Sequence, residues 1–387
     1  LWKFRNSEPD AAERLSTQLG LKPLTARCLC NREVTTSEEA ALFLDPFLKN
    51  LGNPFDLPNM ETAVERLIRA RELGEQVTIF GDYDVDGITA SAILSEFFKV
   101  LGWNCIGTFL PLRMEEGYGL TESGVDHCLS HYPSTRILLA VDCGSTSVKS
   151  IARMQERGVD VIVLDHHQID KEQIPCPVAL VNPQLGTVPE GLDAAAAEAE
   201  EAKIRNLRNL CSAGLAFKLA HALLKRGRER SEPWGKAFDL KDILDLVALG
   251  TIGDLVKLHG ENRILVAHGI RRIAETRRPG LRELLRVSRR QTVTAYDVSF
   301  YLAPRLNAAG RLEDAQVALE LLTTQDEELA IKLAEQLDRV TSERKGLQNR
   351  IAHEVTERVK RNFNPERDFI IVEASFEWHL GVIGITA

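Results

Sequence analysis

From Gln76 to about Pro183, short β-branched and aliphatic runs alternate with stretches whose apolar residues recur at helical spacing. Residues 77–80, 106–110, 137–141, 159–164 and 178–181 are too short for helices and predict strands, whereas residues 89–101, 121–131 and 147–157 predict amphipathic helices. The alternation predicts an α/β fold: a mainly parallel sheet flanked by helices, with functional groups at the carboxyl ends of its strands. Residues 193–201, Asp-Ala-Ala-Ala-Ala-Glu-Ala-Glu-Glu, favour helix but are of low complexity, and read as an exposed insertion without nameable chemistry.

Beyond the insertion the pattern turns helical, over residues 210–225, 240–249 and 263–276. Residues 326–361 sustain apolar positions without proline, which predicts a long connecting helix of roughly 50 Å. Residues 368–374, Asp-Phe-Ile-Ile-Val-Glu-Ala, read as a new strand at the start of a second α/β domain. One strand and a turn do not make a domain, so the end at Ala387 reads as a fragment boundary. The pattern thus divides the chain into a lead-in segment (1–75), a catalytic domain (76–325), a connecting helix (326–362) and the truncated start of a further domain (363–387).

Composition narrows the class. A chain of 387 residues that is 44% hydrophobic and 27% charged matches a soluble globular protein of two or three domains. Its seven cysteines are scattered and include no Cys-x-x-Cys pair, which speaks against a zinc ribbon or disulfide framework and for a reducing cytoplasm. The opening Leu1-Trp-Lys-Phe-Arg5 has neither an initiator Met nor a signal-type apolar core, and no apolar run is long enough to span a bilayer. The formal charge of −8 opposes a general basic coat for nucleic acid, but a cluster of metal-binding carboxylates carries negative charge that cations offset. Net charge therefore does not exclude a nucleic-acid substrate.

The chemistry concentrates where the first strand ends. Val77-Thr-Ile-Phe-Gly-Asp-Tyr-Asp-Val-Asp-Gly87 places Asp82, Asp84 and Asp86 at alternate positions. Carboxylates this close repel one another unless protons or cations neutralise them, and Mg2+ and Mn2+ prefer oxygen ligands. A strand-to-helix turn with one acid at the helix start explains one of the three. Asp142 follows another apolar run in Leu138-Leu-Ala-Val-Asp-Cys-Gly144, and Asp165, His166 and His167 follow a third. Asp254 ends the apolar helix 247–253. Singly these are equally well read as a loop acid, a surface His pair and a helix cap; recurring at the strand ends of one sheet, they converge in space.

Gly81-Asp-Tyr-Asp-Val-Asp-Gly87, Val141-Asp-Cys-Gly144 and Asp165-His-His167 resemble the first three motifs of the DHH phosphoesterase superfamily. Within it, Arg113-Met-Glu-Glu-Gly-Tyr-Gly119, the run 247–254, Glu261-Asn-Arg263, Pro304-Arg-Leu-Asn-Ala-Ala-Gly-Arg311 and Trp378-His-Leu-Gly-Val-Ile-Gly384 resemble the RecJ-type family of single-strand-specific 5′ to 3′ exonucleases. The resemblance implies a DHH domain over 76–325, a DHH-associated domain beginning in 363–387, and phosphodiester hydrolysis with two Mn2+ or Mg2+ ions. It implies that Asp84 and Asp82 hold one ion, that Asp86, His166 and Asp254 hold the other, and that Asp142 bridges them. His167 would touch the scissile phosphate and Asp165 would orient an imidazole.

Arg113 and Arg305 or Arg311 lie in motifs resembling the family's pocket for a 5′-phosphate, which a guanidinium fork suits, and His379 is a further phosphate contact. The implied partners are single-stranded DNA with a 5′-phosphate end, a helicase and a single-strand-binding protein, for a monomer without membrane association acting in repair and recombination. Three departures stand out: Phe80 where many relatives have His, Gly253 where Ala is common, and the insertion before Leu210-Cys-Ser-Ala-Gly214. Relatives continue past the equivalent of Ala387 into a Ser-Arg pair that helps hold the terminal phosphate, so this chain is expected to bind single strands weakly. Rival readings are a haloacid-dehalogenase-type phosphatase with an aspartyl nucleophile, a DHH enzyme for short oligonucleotides, nucleotide bisphosphates or pyrophosphate, and a non-catalytic binding protein.

Overall fold

Among the described residues five short runs form one parallel sheet: β1 (Val77–Gly81), β2 (Cys105–Phe109), β3 (Ile137–Val141), β4 (Asp160–Leu164) and β5 (Ala179–Val181). A computed structural model describes residues 9–386; Leu1–Arg5 and the end at Ala387, read above from sequence, lie outside them. The strand order is β2-β1-β3-β4-β5. The chain therefore leaves β1 to one side for β2, then crosses to the other side for β3. Such a reversal opens a crevice at the carboxyl ends of β1 and β3, where open α/β sheets bind their ligands.

Alternate residues along each strand serve two cores, as the two-residue period requires. Val77, Ile79, Ile137, Leu139, Val141, Ile162 and Leu164 enter the larger core, and Phe80, Leu138, Ala140, Val161 and Val163 the smaller. The smaller face is covered by helices Glu122–His131 and Val148–Glu156, which contribute Val125, Cys128, Ile151 and Met154. The larger face carries helices Met60–Leu73, Val85–Val100 and Ser212–Glu229. Among the described residues no helix is long and apolar enough to cross a membrane.

Three expectations change. The helix Met60–Leu73, in what reads from sequence as a lead-in segment, buries Met60, Ala63, Val64, Leu67 and Ile68 in the same core as the sheet. The long helix, Glu327–Asn362, is capped by Asp326 and joins that core through Ala330, Leu333, Ala334 and Leu337. Its first half is thus a wall of the sheet's core, and its second half packs Leu347, Ile351 and Val355 with Trp378 and Val382. Residues 368–374 form no strand: no second strand lies beside them among the described residues, and without a ladder partner their apolar pattern leaves Phe369, Ile370 and Val372 exposed. The insertion folds as the helix Ala194–Leu207, capped by Asp193 and anchored by buried Leu207.

The motif Glu261-Asn-Arg263 turns out to be structural. Lys218 and Glu261 form a fully buried ion pair, with both Glu261 oxygens 2.9–3.0 Å from Nζ. Gly52 closes the group, its N–H donating to Glu261 and its carbonyl accepting from Lys218. Asn262 donates to the carbonyls of Asn209 and Lys257, and Arg263 donates to Phe43 while lying over its ring. The motif therefore binds the N-terminal segment to the catalytic body.

Candidate metal centre

The loop after β1 turns directly into the helix Val85–Val100, and its acids take different places. Asp84 is the helix cap, accepting from the N–H groups of Asp86 and Gly87. Asp86, fully buried in the first turn, accepts from the N–H groups of Ser212 (2.6 Å) and Ala213 (2.9 Å) at the start of the helix Ser212–Glu229. Two helix N-termini therefore face one carboxylate, which suits its negative charge. Asp82 accepts from Gly119 N–H.

Asp142 leaves β3 with φ +63°, in the left-handed region that Asp and Asn tolerate better than most residues. The turn aims its carboxylate inward, where Ser212 Oγ donates to Oδ1 at 3.0 Å. After β4, Asp165 Oδ1 accepts from the N–H groups of His166 and His167 and from His167 Nδ1 at 2.7 Å, while Oδ2 accepts from Ser145 N–H. The imidazole oriented by Asp165 is therefore that of His167. Asp254 ends the helix Leu244–Gly253.

These groups converge on His166. Its Nε2 lies 3.4 Å from Asp142 Oδ1, 3.5 Å from Asp254 Oδ2 and 3.7 Å from Asp86 Oδ2. Both His166 Nε2 and Asp254 Oδ2 are buried without a hydrogen-bond partner. Unpartnered buried polar atoms that point at each other need a third body between them. The spacing suits neighbouring ligands of one ion, which stand about 3 Å apart when metal–oxygen bonds are about 2.1 Å. Asp82, Asp84 and Asp142 form a second group, and Asp142, His166 and His167 a third, each with ligand atoms within 4.8 Å of one another. Asp142 and His166 each belong to two of the three groups, and of the two only Asp142 joins the Asp82–Asp84 pair to the histidines.

Electrostatics agree with the donor set. Burial, aided by the charge of Asp84, pushes Asp82 up to about 7. Burial, followed by Asp86 and Asp84, pushes Asp254 up to about 8, and Asp142 is raised well above the usual carboxylate range by burial and the same neighbours. Burial opposes the charge on Asp165, but His167 and Ser145 overcome it and hold that carboxyl well below its ordinary value. The Asp165 hydrogen bond in turn lifts His167 to about 9 against burial, favouring its protonated form while no ion is bound.

A raised carboxyl keeps its proton near neutral pH, and a divalent ion must displace that proton to bind. Mn2+ binding at pH 7 is expected to release about one proton or more per protein, with affinity rising as pH climbs through the range set by Asp82 and Asp254. Calorimetry in two buffers of different ionisation enthalpy measures the release; identical heats in both would contradict it.

Beside the acids lies a group of cations without acids of their own. Arg113 stands 4.8 Å over the Tyr83 ring, and its Nη1 is buried without a partner. Arg311 donates to the Gly381 carbonyl, and burial together with Arg113 lowers its pKa. Arg344, on the long helix, has a buried unpartnered Nε, and burial and Arg311 lower its pKa. Arg305 is not part of this group: its Nε and Nη2 are held by Asp338 and its Nη1 by the Tyr301 carbonyl. His379 caps the short helix Leu380–Ile383, accepting from Gly381 N–H, and Gly381 packs against the Arg311 backbone.

Sequence reasoning missed Ser212, Arg344 and Asn307, whose Oδ1 accepts from Val85 N–H at 2.7 Å and so fixes the acidic loop. Asn307 lies inside the quoted run 304–311, and Ser212 inside 210–214; Arg344 had no local signal. Phe80 fills the smaller core beside Phe109 and offers no metal ligand. Gly253 is explained by contact, since a Cβ there would stand 2.4 Å from Val85.

The sequence profile described as "DHH family, N-terminal domain" matches residues 76–251. The single-stranded-DNA-specific exonuclease RecJ of Bacillus subtilis is 34% identical over the whole of this chain, which spans 45% of that protein. A crystal structure of exonuclease RecJ bound to manganese is 34% identical and superposes with a TM-score of 0.70, covering 86% of this chain and 76% of that one. The chain belongs to the RecJ family of DHH proteins. A Mn2+ complex of RecJ from Thermus thermophilus, 30% identical with a TM-score of 0.75, covers 98% of this chain and 50% of that one. The chain thus spans about half the length of full RecJ proteins. RecJ membership sets aside the haloacid-dehalogenase reading of Asp82, and manganese in two RecJ relatives accords with the donor set seen here.

Proposed function

We propose that this chain is the catalytic part of a single-strand-specific 5′ to 3′ DNA exonuclease acting in repair and recombination. The observation that carries the reading is the unpartnered His166 Nε2 among Asp86, Asp142 and Asp254, next to a second acid group sharing Asp142. Asp86, His166 and Asp254 would hold one Mn2+ or Mg2+ ion, Asp82 and Asp84 the other, with Asp142 common to both. Bound ions would supply an activated water and offset charge on the phosphate.

The protein's own residues perform the rest. His167, oriented by Asp165 through Nδ1, would donate from its other ring nitrogen to a non-bridging oxygen of the scissile phosphate. Arg113 and Arg311, with Arg344 behind them, offer donors without competing carboxylates to a terminal 5′-phosphate, and His379 borders that pocket. Three like charges left together are held for an anion. Arg305 serves this pocket only by tying its helix to Asp338.

Residues 363–386 would begin the DHH-associated domain, a reading supported by a separate small core of Ile351, Trp378 and Val382. Burial of the helix Met60–Leu73 extends the catalytic domain upstream of residue 76. An enzyme that needs a free strand end depends on a helicase to open duplex and a single-strand-binding protein to keep it open. We place the protein in the cytoplasm as a monomer, where its seven unpaired cysteines remain reduced.

The test is Mn2+-dependent digestion of end-labelled strands. Mononucleotides are expected from the 5′ end of single strands, faster with a 5′-phosphate than with a 5′-hydroxyl, and duplexes are expected to resist. Release from the 3′ end would overturn the polarity, and preference for dinucleotides over longer strands would move the chain to the short-oligonucleotide reading.

A further inference from the structure

The helix that fixes the acidic loop extends backwards into an exposed aromatic pair with no role in the site described so far. Tyr296 and Phe300 stack at 4.5 Å with an interplanar angle of 30°, and each is 60% exposed. Aromatic side chains ordinarily bury; two that stack on each other in solvent present a flat apolar face. Tyr301 lies edge-on to Tyr296, with the Arg290 guanidinium 4.0 Å over its ring. Arg290 is steadied by Asp297, and Arg289 beside it is exposed.

Residues 298–302 form a π-helical turn before the helix Ala303–Leu312. Such turns cost stability relative to α-helix and gather at functional positions. From it, Phe300, Pro304, Asn307 and Arg311 follow at spacings of four, three and four, the unburied stripe of a helix whose other face buries Leu302, Ala303, Leu306 and Ala309. Arg311 borders the cationic pocket, Asn307 holds the acidic loop, and Phe300 lies about 10 Å further along the axis. Pocket, metal loop and aromatic pair thus follow one another along one continuous helical run, residues 295–312.

We propose that Tyr296 and Phe300 form a base-stacking platform for single-stranded nucleic acid, taking bases on the 3′ side of the scissile phosphate. This deepens, and rests on, the exonuclease reading. Every base has a π-face, so an aromatic step grips a strand without reading sequence, and neighbouring arginines meet its backbone. A span of about 10 Å corresponds to about three stacked nucleotides at about 3.4 Å each. Duplex bases are already stacked on one another and give the platform nothing to hold.

The test uses the Mn2+-loaded protein and its Tyr296→Ala/Phe300→Ala variant on oligothymidylates of two to twelve nucleotides. The variant is expected to lose kcat/KM increasingly with length, reaching at least about tenfold on the longest strands and falling mainly in KM. Phe300→Trp should preserve the wild-type length dependence. In metal-free protein, 2-aminopurine placed along a strand should be quenched at one or two positions a few nucleotides from the 5′ end, and not in the double variant. An equal loss at every length, or quenching that survives in the double variant, would overturn the platform. Positional quenching by a wild-type protein that cuts no strand would keep the platform and sink the exonuclease reading.

Discussion

Replacing Asp142 with Asn is expected to lower strand cleavage at least about a thousandfold, equivalent to about 4 kcal/mol of transition-state stabilisation. Asn is the instructive choice. It tolerates the left-handed backbone at this position, and its carbonyl oxygen still accepts from Ser212, whereas Ala would add strain to the loss of charge. What disappears is the negative oxygen shared by two ligand groups. The same change removes a buried group crowded by Asp86, Asp84, Asp82 and Asp165, so the metal-free variant should melt about 1–3 °C above the wild type. Stabilisation by added Mn2+ should largely vanish. Retained cleavage, or undiminished stabilisation by Mn2+, would show that Asp142 bridges nothing, and a metal-free variant that melts lower would show that its burial among acids is not costly.

The second large effect is on stability. Lys218→Met is expected to cost about 3–5 kcal/mol, because it leaves the Glu261 carboxylate buried with a single backbone donor from Gly52. The paired change Lys218→Met/Glu261→Met should recover part of that loss and no more, since both polar groups of Gly52 then lack partners. Chemical unfolding monitored by circular dichroism gives both values. A single variant within about 1 kcal/mol of wild type would mean that water reaches the pair.

The sheet was legible because its strands are apolar on both faces, and all five were located within a residue or two. Asp142, Asp165 and His166 were legible for the same reason: each follows such a run immediately. Strand order was not, because β1 pairs with β2 and β3 alike and no local pattern says on which side each lies. The apolar run at 368–374 has strand composition, but a strand exists only beside another. Burial of the helix Met60–Leu73 escaped notice because amphipathicity marks a face and not what covers it. Arg305 and Arg311 were interchangeable in sequence; Asp338, 33 residues downstream, separates them.

The larger core joins Leu57 to Leu337, and its polar fastenings reach equally far. Gly52 meets Glu261 across 209 residues, and Val85 meets Asn307 across 222. On a ribosome adding about 5–20 residues per second, the acidic loop is made roughly 10–45 s before the asparagine that fixes it. Until Ser212 and Ala213 are made, 126 and 127 residues after Asp86, a turn carrying three carboxylates lacks its helix-end cover, and until Asn307 it lacks its clamp. The nascent sheet must wait, partly open, for helices encoded far downstream, so the chain's exposure to aggregation is decided by the pace of translation through its second half.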